Sequence, residues 1–141
     1  MRKPYLLLPA LLLTISLFAA DGERATDEAG EEDPIIFDVD DYGDDWILGD
    51  TDQDGAIDYA LRRNDAGEKD REAVDYDGDG VMDDFYFYDE KGTLTEQWVD
   101  SNYDGAIDLW ITIHRGVYVS GYRRDADYDG EIDLVKEFGE E

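Results

Sequence analysis

The sequence has no cysteine, only one histidine and few basic residues. Its 141 residues contain 12 Lys and Arg against 39 Asp and Glu, which gives a formal charge of −27. Without cysteine there is no disulfide framework, no thiolate nucleophile and no cysteine-based zinc site. A single imidazole also argues against zinc and non-haem iron centres. The excess of carboxylates repels phosphate backbones and anionic lipid headgroups, so we expect neither nucleic acid nor a membrane surface as a partner.

Hydrophobic residues nevertheless make up 42% of the chain and aromatic residues 13%. These fractions exceed those of an acidic disordered tail. We therefore expect a folded domain that holds many of its carboxylates close together, and a cation that neutralises them.

The N-terminus predicts export. Arg2 and Lys3 precede an apolar run from Tyr5 to Ala20, and this order of basic, apolar and small residues is typical of a secretory signal. The run is short for the roughly 30 Å core of a bilayer. We expect residues 1–20 to be a cleaved signal peptide rather than an uncleaved anchor, with no stable membrane span after cleavage.

The remaining chain divides into a linker and a domain. Residues 21–33 are acidic and lack large apolar side chains, which predicts a disordered linker. Residues 34–141 hold the predicted folded domain. Export predicts a secreted or periplasmic protein, and calcium is far more abundant outside a cell than in cytosol.

A nonapeptide recurs four times at a constant spacing. The copies begin at residues 50, 75, 100 and 125, and each reads D-x-[DN]-x-D-G-x-[IM]-D. We call them loop 1 (residues 50–58), loop 2 (75–83), loop 3 (100–108) and loop 4 (125–133). Calcium takes ~6–8 oxygen ligands at ~2.3–2.6 Å, and a tight loop can direct side chains 1, 3 and 5 and carbonyl 7 towards one ion, with residue 9 binding directly or through water. The predicted metal ligands are Asp50, Asp52, Asp54, Asp58, Asp75, Asp77, Asp79, Asp83, Asp100, Asn102, Asp104, Asp108, Asp125, Asp127, Asp129 and Asp133.

Two other positions of the nonapeptide have structural roles. Glycine at position 6 allows a sharp bend, where we expect a side chain to clash. The apolar residue at position 8 is expected to anchor each loop to the core; these residues are Ile57, Met82, Ile107 and Ile132. Loop 3 has Asn102 in place of a carboxylate, so we expect it to be the weakest of about four Ca²⁺ sites.

The nonapeptides resemble the calcium loops of EF-hands, dockerins and thrombospondin type 3 repeats, and the D-x-[DN]-x-D-G loops of integrin-type repeats. The resemblance implies a calcium site and not a fold. Position 12, where an EF-hand has a bidentate Glu, holds Leu61, Tyr86, Ile111 and Lys136. The flanking sequence is not helical and the thrombospondin cysteines are lacking, so a sensor EF-hand is not expected. The segment Tyr88–Thr95 is also similar to the tyrosine-aspartate repeats of bacterial wall and toxin proteins.

The segments between the loops predict strands, because they are rich in Ile, Val, Tyr, Phe and Trp and are separated by turn residues. We predict nine strands, at Ile35–Val39, Asp44–Leu48, Ile57–Arg63, Glu68–Val74, Met82–Tyr88, Thr93–Val99, Ile107–Ile113, Val117–Arg124 and Ile132–Phe138. The fold class is therefore all-β: an antiparallel meander of 25-residue strand-turn-strand-loop repeats. Runs such as Phe85–Tyr88 are apolar on both faces, so we expect the sheet to coil or to close into a small barrel.

Electrostatics predict a structural role for the ions. Two like charges ~4 Å apart repel by about 4 kcal/mol at an effective dielectric near 20. Several such pairs in four loops exceed the ~5–15 kcal/mol stability of a small domain. We therefore expect the fold to depend on calcium.

These observations predict an exported, non-enzymatic module whose four loops bind Ca²⁺ and stabilise a β-repeat fold. A protein or glycan partner is compatible with the sequence but not identified by it. The alternatives are a calcium-dependent carbohydrate-binding protein or small hydrolase that uses an aromatic face, and a low-affinity calcium buffer. No catalytic residues are predicted.

Overall fold

The computed structural model describes residues 35–139, and this part of the chain folds as one antiparallel sheet. Its eight strands are β1 (Trp46–Gly49), β2 (Tyr59–Arg63), β3 (Lys69–Val74), β4 (Asp84–Tyr88), β5 (Leu94–Val99), β6 (Leu109–His114), β7 (Tyr118–Arg124) and β8 (Leu134–Glu137). Each strand pairs with its neighbours in chain order, from β1 to β8. The predicted all-β meander is thus confirmed. The predicted signal peptide (1–20) and linker (21–33) lie outside the described residues.

The prediction of nine strands was wrong at its first member. The segment Ile35–Val39 makes only one isolated bridge, between Asp38 and Val81, and then turns into a short 3₁₀ helix at Val39–Asp41. The Asp38 side chain caps that turn by accepting a hydrogen bond from the backbone N of Asp40 at 2.9 Å. The apolar residues of the segment pack onto the sheet instead of extending it.

Residues 35–42 pack on part of one face of the sheet, which we call the covered face. Strand alternation places Ala60, Ala73, Phe85 and Trp98 side by side on this face. Phe37 packs edge-on against Phe85, with ring centroids 5.2 Å apart. Two backbone hydrogen bonds hold the segment in place, from Met82 to Phe37 at 2.7 Å and from Val39 to Gly80 at 3.1 Å. The buried core of the described residues consists of Tyr42, Ala60, Ala73, Met82 and Phe85.

The opposite face carries tyrosines bonded to buried carboxylates, and we call it the tyrosine face. Tyr59, Tyr88 and Lys69 all donate hydrogen bonds to Glu72. Tyr86 donates to Asp84 at 2.8 Å. The hydroxyl groups therefore obtain partners within the face itself.

This pairing explains why the sheet is not closed into a barrel. In the run Phe85–Tyr88 the phenylalanines lie on the covered face and the tyrosines on the tyrosine face. Residues 35–42 pack over the phenylalanines, and the buried carboxylates accept hydrogen bonds from the tyrosines. Neither face therefore needs the sheet to close into a barrel in order to be buried. Of the two expected forms, a coiled sheet or a small barrel, closure into a barrel is wrong: the sheet is open, with β1 and β8 at its edges. No helix within residues 35–139 has the length and apolar character needed to cross a membrane.

Met82 and Ile132 occupy the same position of two different loops and allow a matched test of core packing. Met82 is 0% exposed in the core, whereas Ile132 is 42% exposed. We expect Met82→Ala to lower the free energy of unfolding by about 2–4 kcal/mol through lost burial and a cavity. Ile132→Ala is expected to cost less than about 1 kcal/mol. Urea denaturation of the two variants measures both values, and equal losses would contradict the assigned core.

Candidate metal centres

The meander places all four nonapeptides at one end of the sheet. Each connects an odd-numbered strand to the next even-numbered one, whereas the turns after β2, β4 and β6 lie at the other end. Neighbouring loops are joined through their backbones: the N–H of each position-1 Asp donates to the carbonyl of the preceding position-9 Asp. The pairs are Asp75 to Asp58 at 3.0 Å, Asp100 to Asp83 at 2.8 Å and Asp125 to Asp108 at 2.9 Å. The loops therefore form a continuous row.

The first carboxylate of each loop organises the backbone around it. In loop 2, Asp75 accepts hydrogen bonds from the backbone N of Gly78 at 2.7 Å and of Gly80 at 2.9 Å. Position 9 closes the loop, since Asp83 accepts from the backbone N of Tyr76 at 2.7 Å. The same two kinds of contact, from position 1 to the N–H of position 6 and from position 9 to that of position 2, recur in the other three loops.

Side chains 1, 3 and 9 converge in three of the four loops. In each triad, one oxygen from every carboxylate lies within 4.8 Å of those of the other two. The triads are Asp50, Asp52 and Asp58; Asp75, Asp77 and Asp83; and Asp125, Asp127 and Asp133. Each nonapeptide lacks Lys, Arg and His. A cluster of three carboxylates with no basic residue in its loop suits a hard cation.

The predicted ligands at position 5 do not belong to these triads. Asp54, Asp79, Asp104 and Asp129 each accept a hydrogen bond from the backbone N of position 7, at 2.8–3.0 Å. The second oxygen of Asp104 accepts a hydrogen bond from Nδ2 of Asn102 at 2.9 Å. The sequence pattern predicted that side chains 1, 3 and 5 share one centre, with residue 9 joining directly or through water, whereas the fold brings side chains 1, 3 and 9 together in three loops.

In loop 3, the side chain at position 3 has a buried oxygen without a hydrogen-bond partner. Asn102 donates from Nδ2 to Asp104 at 2.9 Å, and this contact sets the orientation of the amide. Its Oδ1 is buried and accepts no hydrogen bond. A buried polar atom without a partner costs about 1–3 kcal/mol. Position 3 thus offers a free oxygen in loop 3, where the other loops offer a carboxylate.

The backbone of each loop visits the left-handed region twice. Gly55, Gly80, Gly105 and Gly130 at position 6 have φ between 84° and 100°. A Cβ at Gly55, Gly105 or Gly130 would meet nothing within 4 Å, so the expected clash is wrong and the backbone angle is the actual constraint. Position 4 is left-handed as well, at Gln53, Gly78, Tyr103 and Tyr128. Sequence reasoning missed position 4, because only loop 2 has a glycine there.

Burial is deepest in the middle of the row. Asp75, Asp83, Asp100, Asp108 and Asp125 are buried, whereas both ends of loop 1 are half-buried. Burial and the nearby charges of Asp77, Asp75 and Asp100 raise the pKa of Asp83 to about 6. The position-8 anchors follow the same gradient: Met82 is buried, Ile57 and Ile107 are half-buried, and Ile132 is exposed. The expectation that all four anchors enter the core therefore fails for loop 4.

Two further buried carboxylates, Glu72 and Asp84, lie on the tyrosine face and do not belong to the nonapeptides. Burial raises the pKa of Asp84. Burial also acts to raise the pKa of Glu72, but hydrogen bonds from Lys69, Tyr59 and Tyr88 outweigh it and lower that pKa. Strand alternation could have placed Glu72 and Asp84 on one face, but no sequence motif distinguished them from the many surface acids.

The raised carboxyl pKa values predict how the metal-free protein responds to pH. The ordinary Asp pKa is 3.8, and that of Asp83 is about 6 in the folded state, so the folded chain binds this proton more tightly. The resulting stabilisation is complete below pH ~4 and is lost as pH rises to ~6. We expect the melting temperature in chelator to be higher at pH 5 than at pH 7. With millimolar calcium, which binds the ionised form, we expect the reverse order.

Thermal melts at the two pH values, with and without calcium, measure this effect. Asp83→Asn removes the titrating group, and we expect the metal-free pH dependence to shrink in this variant. A metal-free protein that becomes more stable between pH 5 and pH 7 would contradict the prediction.

Comparison of the chain with protein-family models, with curated proteins and with solved structures finds no match. What the loops can bind is therefore inferred from their own geometry.

Proposed function

We propose that this protein is an exported calcium-binding module in which up to four ions, one in each Asp-rich loop, stabilise the β-sheet. The observation that carries the proposal is the convergence of side chains 1, 3 and 9 in three loops of one sequence pattern. The free oxygen of Asn102 supports a fourth site of the same kind.

The donor set favours calcium over other ions. All predicted side-chain ligands are carboxylate or amide oxygens, and no nonapeptide contains a His or Cys that would favour zinc or copper. Calcium accepts flexible, irregular oxygen coordination, whereas Mg²⁺ demands near-ideal octahedral geometry and retains several waters. Nine-residue loops that close through backbone hydrogen bonds fit the less demanding ion. Extracellular sites of this type bind at roughly 10⁻⁴–10⁻³ M.

A structural role follows from the position of the loops. Each loop connects two paired strands, and its closing carboxylate lies immediately before the next strand begins. Repulsion among carboxylates whose oxygens lie within 4.8 Å of one another acts directly on the strand ends. A bound cation converts this repulsion into attraction between the two ends of each loop. The module is therefore proposed to be non-enzymatic, with calcium as part of its folded state.

A second candidate function is calcium-dependent carbohydrate binding. Loops 2, 3 and 4 each contain one exposed tyrosine: Tyr76, Tyr103 and Tyr128. Exposed aromatic rings offer an apolar surface with a polar hydroxyl group, which suits a sugar ring. Retention on immobilised polysaccharides that requires calcium and is lost in a Tyr103→Ala, Tyr128→Ala double variant would favour this function over a purely structural one.

Calorimetric titration of the full chain with calcium tests the main proposal. We expect three or four sites and a rise in melting temperature of 10 °C or more between chelator and 5 mM calcium, because the ions bind only the folded state. Circular dichroism before and after chelation reports whether the sheet is lost. An unchanged melting curve, or tight binding of Mg²⁺ instead, would overturn the proposal.

Asp77→Asn and Asp65→Asn make a matched pair that separates site chemistry from net charge. Asp77 belongs to the triad of loop 2, whereas Asp65 is exposed in the turn between β2 and β3 at the other end. Each substitution removes one negative charge. We expect Asp77→Asn to weaken one calcium site at least tenfold and Asp65→Asn to change none by more than about twofold. Equal effects would indicate diffuse attraction rather than a site.

Asn102→Asp tests whether loop 3 is the weakest calcium site, by adding a carboxylate instead of removing one. A carboxylate at position 3 gives loop 3 the same three acids as its neighbours, so we expect its calcium affinity to rise severalfold. Without calcium the added charge should lower the melting temperature, since it adds repulsion beside buried Asp100 and Asp108. A variant whose calcium titration matches that of the original protein would contradict the assignment of position 3 as a ligand.

A further inference from the structure

The last strand of the sheet is exposed over its whole length. All four residues of β8 are exposed, and Val135 reaches 61%. β8 pairs with β7 on one side, and no strand among residues 35–139 lies on its other side. Such an edge presents unpaired N–H and C=O groups, which are a template for another strand.

The first strand presents a second edge with apolar side chains. β1 reads Trp-Ile-Leu-Gly and carries no charge that would discourage pairing. Ile47 is 55% exposed and Leu48 is also exposed. β1 pairs only with β2 in the described part of the chain. The sheet thus ends on both sides in short edges with uncovered aliphatic residues.

The repeat itself defines how these two edges fit together. In every interior hairpin, the residue just after one nonapeptide pairs with the residue just before the next. These pairs are Tyr59 with Val74, Asp84 with Val99 and Leu109 with Arg124. Leu134 comes just after loop 4, and Gly49 comes just before loop 1. The same rule applied between two molecules places Leu134 opposite Gly49, and therefore Val135 opposite Leu48.

We propose that β8 of one molecule pairs with β1 of a second copy of this chain in this antiparallel register. The sheet and its row of loops then continue across the junction with the spacing of the repeat. Val135 and Leu48 meet on the side of the covered face, and Leu134 lies on the other side beside Gly49. The pairing depends on the strand register and does not require the proposed calcium binding.

The size and charge of the junction set its strength. Two four-residue strands bury little surface compared with the ~1,200–2,000 Å² of a stable interface. Each chain also carries a charge of −27, which opposes association. The contact is therefore weak and concentration-dependent, and stronger in high salt. Because it joins two different edges, each dimer keeps one free β1 and one free β8, so assembly continues as an open row rather than closing.

Disulfide trapping tests the register directly, since the chain has no cysteine of its own. Two full-length variants, Val135→Cys and Leu48→Cys, are mixed at equal concentration in 0.5 M salt and oxidised with oxidised glutathione. Directly opposed residues of an antiparallel pair have Cα atoms about 4.5–5.5 Å apart, which a disulfide can span. The control mixture combines Lys136→Cys with Leu48→Cys, whose side chains point to opposite faces in the proposed register.

We expect disulfide-linked dimers to form at least tenfold faster in the first mixture than in the control. Equal rates would overturn the proposed register. Faster dimer formation by Val135→Cys alone than by the mixture would indicate symmetric pairing of two β8 strands and would overturn the pairing of β8 with β1. Sedimentation velocity of the unsubstituted chain supplies a second measurement: the mean mass should rise with concentration in 0.5 M salt, and a constant monomer mass up to millimolar concentration would overturn the proposal.

Discussion

Repulsion among carboxylates held at one end of the sheet is the constraint on which the rest of this structure depends. Three acids of each triad have oxygens within 4.8 Å of one another, and the nonapeptides contain no basic residue to separate them. Hydrogen bonds from backbone N–H groups partly offset this repulsion; Asp75, for example, accepts two of them. Neutral dipoles reduce the local field but leave the charge in place, and either a cation or a proton would relieve the remaining repulsion. The raised pKa of Asp83 shows this effect for the proton: burial and the neighbouring carboxylates favour the protonated, neutral form of Asp83.

The backbone conformation of the loops follows from the need to aim those N–H groups. Two left-handed residues, at positions 4 and 6, turn the chain around the first carboxylate. The N–H of position 6 donates to that carboxylate in all four loops, and the N–H of position 4 does so in loops 1, 2 and 4. Glycine is present at position 6 in all four loops, where φ is 84–100°, whereas position 4 tolerates Gln53, Tyr103 and Tyr128 at φ of 61–64°. The difference is physical: a side chain can occupy the left-handed helical region at modest cost, but not the wider angle near 90–100°. The glycine pattern thus marks the sharper of the two bends.

Much of the fold and site could be predicted from residue spacing, because repeats constrain both. The constant interval between the Asp-rich loops predicted the order of the strands and the end of the sheet that carries the loops. The sequence pattern named the converging acids only in part, because it grouped position 5, and not position 9, with positions 1 and 3. Other features depended on contacts distant in sequence. Residues 35–39 have the composition of a strand, but their apolar side chains bury more surface by packing over Phe85 and Met82 than they would as an edge strand. Likewise, the sequence analysis counted Tyr86 and Tyr88 as apolar residues that need burial. In the structure their hydroxyl groups donate to the buried carboxylates Asp84 and Glu72, so this face does not need a second layer of strands.

The covering segment also explains why equivalent loops differ. Residues 35–42 contact the sheet near β4 and loop 2, where Met82 is fully buried and Asp83 is almost so. No described segment covers the region of loop 4, and there Ile132 and the whole of β8 are exposed. The carboxylates of the two loops are perturbed differently: burial is the main cause of the raised pKa of Asp83 in loop 2, whereas the charges of Asp129 and Asp133 are the main cause of the raised pKa of exposed Asp127 in loop 4. One sequence pattern therefore occurs in two different settings: loop 2 lies against the packed part of the sheet, whereas loop 4 and β8 lie where the sheet is exposed.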